Sequence, residues 1–232
     1  MARTVNEQEY ALKRSEILAA TRKLLYRKGY DQITIKDVID EVQISKGAFY
    51  HYFESKQALL EALLDQTRAE SEVMLRDIIS DTSLPPVARL QHFFDTVGRW
   101  KVAQKEYVLS LLRSWYADEN VLVRLRVQEG MVVHIAPLLN HLIAEGVAEG
   151  TFHTAFPDVA GQMILTLLVG MGDTFAKALF VADRSAATIA QIERMIAAYN
   201  DAIDRVLGVP AGTLHLIDEA TTREWFVLGG AA

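Results

Sequence analysis

The chain has 232 residues, half of them hydrophobic, a formal net charge of −6 and no cysteine. That length supports one large or two modest domains, each with a real core. The missing cysteines exclude disulfide stapling, thiolate catalysis and cysteine-ligated zinc, and they agree with a cytoplasmic location.

The N-terminus reads Met-Ala-Arg-Thr followed by charged residues, so no secretion signal is expected. The longest charge-free apolar run, 159–172, is closed by Asp173 and is too short for a bilayer, so no membrane partner is expected. The charge is unevenly divided. Residues 1–56 carry 10 Lys/Arg against 8 Asp/Glu, a net of +2, and the rest carries 14 against 22, a net of −8. A basic head on an acidic body suits a head that meets phosphate and a body that does not.

Almost every segment has helical period, so the expected fold class is all-α, with about nine helices. The first helix is predicted over about 8–28, with Ile17, Leu18, Thr21, Leu24 and Leu25 on one stripe. Gly29 ends it in a left-handed cap, and Tyr30 is placed to fold back on Leu25. The second runs from Ile35 to Val42. Thr34 caps it with Asp37 three residues on, and Ile33 and Val38 stand at staple spacing. The third runs from Lys46 to about Tyr52, capped by Ser45. The fourth, capped by Ser55, continues to about Ile79.

Asp81-Thr-Ser-Leu-Pro-Pro is the clearest break. Further helices are predicted over about 86–104, 106–116, 120–149, 157–181 and 186–207, the third of these open to a kink at Pro137. The tail over 213–226 keeps Leu214, Leu216, Ile217, Trp225 and Phe226. It is too apolar to be free and is expected to dock. The domains are predicted as 1–56 and 57–232, with the fourth helix, about 55–79, connecting them.

The stretch from Ile33 to Lys56, ITIKDVIDEVQISKGAFYHYFESK, is the most informative. Two short helices with a tight turn between them make a helix-turn-helix, in which one helix braces the other across a DNA major groove. Phe49 and Phe53 lie four apart, so both can point inward with Ile33, Val38, Ile39, Val42 and Ile44. Lys46, Gly47, Ala48, Tyr50, His51 and Tyr52 then face outward, the small residues allowing close approach. Thr34 and Ser45 stand at helix N-termini, where free N–H groups suit a phosphate, and Lys56 adds a cation nearby.

At these residues the chain resembles the TetR/AcrR family of bacterial transcriptional regulators. The matching elements are ILAATRKLLYRKGYDQITIKDV, SKGAFYHYF and ESKQALL, within about 15–64. The resemblance implies phosphate contacts from Thr34, Tyr50 and Lys56. It implies base or near-base contacts from Lys36, Lys46, Ala48, His51 and Tyr52. Members usually have a small residue and Gly before the apolar turn residue, whereas this chain has Val42 and Gln43. A turn slightly different from the family's is therefore expected.

The resemblance also implies a ligand-receiving body. Pocket candidates are Phe93, Trp100, Tyr107, Trp115, Tyr116, Met131 and His134, with core packing as the alternative for each; the polar-tipped rings need partners when buried. His134 and His141 are seven apart and Glu145 follows four later, a weak pattern for a metal, so neither metal nor cofactor is expected. No Ser-His-Asp order, phosphate loop or carboxylate pair stands out, so the chain is not expected to be an enzyme.

The last two helices should make a two-fold dimer. Gly161 and Gly170 would allow close approach, and Ile192, Met195, Ile196, Tyr199 and Ile203 would form an apolar stripe. The expected function is sequence-specific regulation of transcription. A homodimer would repress at a palindromic double-stranded operator and be released by an unidentified small molecule. The alternatives are an activator of the same family, or a helical ligand-binding protein without specific operator binding.

Overall fold

A computed structural model describes residues 2–29, 32–116, 121–180, 185–217, 221–222 and 224–225. Among the described residues there are nine α-helices and no strand. They are α1 (Ala2–Lys28), α2 (Ile35–Val42), α3 (Lys46–Tyr52), α4 (Lys56–Ile79), α5 (Pro86–Ala103), α6 (Lys105–Trp115), α7 (Val121–Ala148), α8 (Pro157–Phe180) and α9 (Ala186–Leu207). The predicted α2, α3 and α9 agree with these bounds. α1 begins six residues earlier than its apolar stripe suggested, because its first two turns are polar and leave no period to read. α7 runs unbroken past Pro137.

By packing, the chain divides into two units. One is 1–70 with 104–127, and the other is 71–103 with 128–232. The division falls inside α4 and α7. In the first unit α1 packs on α2 and α6, and α2 on α3. Ile17, Leu25, Ile33, Val38, Phe49, Leu59 and Leu63 are buried there. Gly29 closes α1 at φ 74°, its N–H donating to the Leu25 carbonyl. Tyr30, expected against Leu25, lies outside the described residues.

In the second unit α8 packs along α9, burying Ile164, Leu165, Ile192, Ile196 and Ile203. By length and hydropathy α8 and residues 124–148 of α7 would reach across a bilayer core, further than the charge-free run suggested. Seven residues of α8 are buried within the chain. The tail docks as expected. Leu214, Leu216, Thr222 and Trp225 are buried, and the Trp225 ring meets Phe175 edge-on at 6.1 Å; Phe226 is outside the described residues. The buried Asp204 carboxylate accepts the backbone N–H groups of Gly212, Thr213 and Leu214 at 2.7, 3.2 and 3.1 Å. Gln91 takes both backbone groups of His215, at 2.9 Å each.

Candidate nucleic-acid interface

The site is built on α2 and α3. Thr34 caps α2 in extended conformation, its Oγ1 accepting the Asp37 N–H while Asp37 accepts the Thr34 N–H at 2.8 Å. Lys28 donates to the same carboxylate at 2.7 Å. The Lys28 ammonium first, then the Thr34 backbone N–H and hydroxyl, hold the Asp37 carboxyl well below the usual carboxylate range. Arg27 pairs with Glu41 at 2.6 Å, so both cations at the end of α1 brace α2.

Gln43 occupies the turn at φ 55°, ψ 48°, the left-handed region a glycine would favour. Its N–H and that of Ile44 both donate to the Ile39 carbonyl. The expected shift of the turn is therefore not needed, because the glutamine itself adopts the left-handed conformation. Ser45 then caps α3, accepting the Ala48 N–H at 3.1 Å. Two-turn α3 presents two faces. Phe49 and Phe53 are buried, their rings 6.0 Å apart. Lys46, Gly47, Tyr50 and His51 are exposed, while Ala48 and Tyr52 are half-buried. Thr34, Lys36 and Ser45 are exposed, and Lys56 is half-buried in the first turn of α4.

Two contacts were not anticipated. The Tyr10 ring lies over Tyr52 at 4.8 Å and meets His51 edge-on at 5.5 Å. The Arg14 guanidinium sits 5.0 Å from the centre of the Phe53 ring. Their signal was legible, since Tyr10 and Arg14 continue the Ile17–Thr21 stripe of α1 at helical spacing.

The seven pocket candidates are not brought together in one unit. Tyr107, Trp115 and Tyr116 belong to the first unit, and Phe93, Trp100, Met131 and His134 to the second. Tyr107 is buried with its hydroxyl 3.1 Å from Thr67 Oγ1, and Phe93 is buried against Phe94. Trp100, Trp115, Tyr116 and Met131 are half-buried, and His134 is exposed, 3.8 Å from Glu72. A recess of about 350 Å3 in the second unit is lined by Thr82, Ser83, Leu84, Pro85, Arg89, Glu145, Ala148 and Glu149, none of the seven. Arg89 is buried beside it, donating to the Ile79 carbonyl at 2.8 Å and pairing with Glu145 at 2.7 Å. Among the described residues no three His, Asp or Glu converge as a metal site.

Four of the seven dimer candidates are turned into the chain itself. Ile192, Ile196 and Ile203 are buried within the chain. Gly161 is buried against α7, donating its N–H to Asn140, and a Cβ there would lie 2.8 Å from the Ala136 carbonyl oxygen. Gly170 faces the Tyr199 hydroxyl, and Met195 and Tyr199 are half-buried. The apolar stripe on α9 served the chain's own α8–α9 packing, since periodicity reports a buried face without naming what buries it. The exposed side of α8 instead carries Val159 and Met163, with Phe156 just ahead of it.

A capped helix, a tight turn and a second, braced helix with polar and aromatic tips outward have the local form of a helix-turn-helix. Residues 17–63 match the family of bacterial regulatory proteins described as the tetR family. An uncharacterised HTH-type transcriptional regulator of Lactococcus lactis subsp. lactis is 37% identical over 96 residues, 40% of this chain and 48% of that protein. The HTH-type transcriptional repressor DhaR of Mycobacterium sp. (strain GP1) is 29% identical over 84 residues, 36% of this chain and 42% of the repressor. The chain thus spans under half the length of these relatives. RolR, solved in complex with resorcinol, shares the fold at a TM-score of 0.63 and 16% identity, over 94% of this chain and 95% of RolR.

Proposed function

We propose that the chain is a sequence-specific transcriptional repressor that binds a palindromic operator as a homodimer and releases it when a small molecule binds. The observation that carries this is the division of α3 by face, with Phe49 and Phe53 buried and Lys46, Gly47, Tyr50 and His51 exposed on a braced, capped helix. That is the arrangement a major groove requires. The similarity to a named repressor supports the sign of regulation. Thr34, Ser45, Tyr50 and Lys56 hold phosphates; Lys36, Lys46, Ala48, His51 and Tyr52 lie at the bases, with Gly47 giving clearance.

The dimer forms on the exposed sides of α8 and α9, which carry Val159 and Met163 on α8 and Ala190, Ala197 and Ala198 on α9. One two-turn helix reads too few bases alone, so two are needed. The effector enters the second unit near Trp100, Met131 and His134. RolR's complex with resorcinol is the precedent for a small ligand in this fold.

The test is selection of duplexes from a randomised library by the full chain, then titration of the enriched duplex at several salt concentrations. Tyr50→Phe and Lys56→Ala are expected to weaken all duplexes, Lys56→Ala also reducing the salt slope by about one. Lys46→Ala and His51→Ala are expected to change the enriched bases. If all four variants bind like the wild type, the site assignment fails.

A further inference from the structure

Three consecutive residues at the end of α3 are gripped by one turn of α1. Tyr10 and Arg14 stand four apart, so both face the same way. Tyr10 lies over Tyr52, with ring centroids 4.8 Å apart and planes at 32°, and meets His51 at 5.5 Å and 88°. His51 and Tyr52 meet each other at 5.3 Å and 77°, so the three rings close a triangle. Arg14 covers Phe53 at 5.0 Å.

A seven-residue helix is short, and its last turn is the part most prone to fray. Side chains there would otherwise sample several rotamers, and immobilising each on binding costs conformational entropy. Rings held before binding avoid that cost. They also present one arrangement of edges to the bases, not several.

We infer that Tyr10 is a specificity-determining positioning residue, which sets base preference by fixing the rings of Tyr52 and His51 on the recognition helix. This rests on the proposed reading that α3 enters the groove. Tyr10 acts through its ring, so the phenol hydroxyl is dispensable. Leu12, on the same turn but 71% exposed, has no such role.

The experiment compares the full-length wild type with Tyr10→Ala, Tyr10→Leu, Tyr10→Phe and Leu12→Ala. Each is used to select duplexes from a library with a randomised core. Affinity is then measured for the wild-type-enriched duplex and a shuffled duplex at one salt concentration, with the melting temperature of each protein alongside. Tyr10→Ala and Tyr10→Leu are expected to lower the enriched-to-shuffled affinity ratio about tenfold, through loss of preference at one or two positions per half-site. Their affinity for the shuffled duplex should stay within about twofold. Tyr10→Phe and Leu12→Ala should keep the wild-type motif and ratio.

Tyr10→Leu retains apolar packing, so it reports on the flat ring even if Tyr10→Ala unfolds. The inference is overturned if Tyr10→Leu keeps the wild-type ratio, if it weakens both duplexes alike, or if Tyr10→Phe loses preference too. If the wild type itself enriches no motif, the repressor reading has failed.

Discussion

Gln43 shows how one backbone angle can carry a local fold. A left-handed conformation strains a residue with a Cβ by roughly 1–2 kcal/mol, and Gln43 alone among the described non-glycine residues has positive φ. Glycine would relieve that strain but lose more chain entropy on folding, so the two effects partly cancel. Gln43→Gly should therefore range from neutral to about 1 kcal/mol more stable, while Gln43→Val, β-branched at φ 55°, should be about 1–2 kcal/mol less stable. Denaturant unfolding of the two variants checks this. Asp37 makes a pH prediction. Its folded-state pKa is depressed, so its contribution to stability is present above the unfolded value of about 4 and is lost as pH falls through the folded one. The gap in melting temperature between the wild type and Asp37→Asn should be full at pH 6–7 and shrink below about pH 4. A gap independent of pH would remove the carboxylate from its bracing role. The Thr34 cap was legible because caps depend on local spacing, whereas the Lys28 partner, nine residues away across a turn, was not.

At the scale of the element, two helical glycines set opposing effects against each other. Alanine is favoured over glycine inside a helix by about 1 kcal/mol. At Gly98 in α5 a Cβ would meet nothing within 4 Å, so Gly98→Ala should gain roughly 0.5–1 kcal/mol. At Gly146 in α7 a Cβ would lie 2.2 Å from the ring of the buried Phe152, and that overlap should outweigh propensity, for a net loss of about 1–3 kcal/mol. Thermal unfolding of the pair, read side by side, tests the argument, and a stabilised Gly146→Ala would refute it. α2 and α3 were readable to the residue because caps mark both starts. The extra turns of α1 were not, since Arg3, Glu7 and Glu9 carry no apolar period.

For the whole molecule, the proposed dimer can be tested at the exposed apolar face of α8. Val159 and Met163, 42% and 48% exposed, stand four apart on α8. A charge placed there would be desolvated in a dimer and harmless in a monomer. Met163→Glu is therefore expected to shift the chain toward monomer in sedimentation equilibrium and to weaken operator binding by at least about tenfold, with little change in monomer stability. Ile196→Glu, at a buried position, should instead unfold the chain. Both variants remaining dimeric and folded would contradict the proposed face.

The sequence by itself determined the helical class, most helix bounds and the facing of α3. These depend on period and caps, which are local. The grip of Tyr10 and Arg14, the Asp204 clasp on the tail and the burial of the α9 stripe were decided only in the tertiary structure. Each is a meeting of residues whose pairing depends on how the helices pack, and amphipathic spacing says that a face will be covered without saying by what.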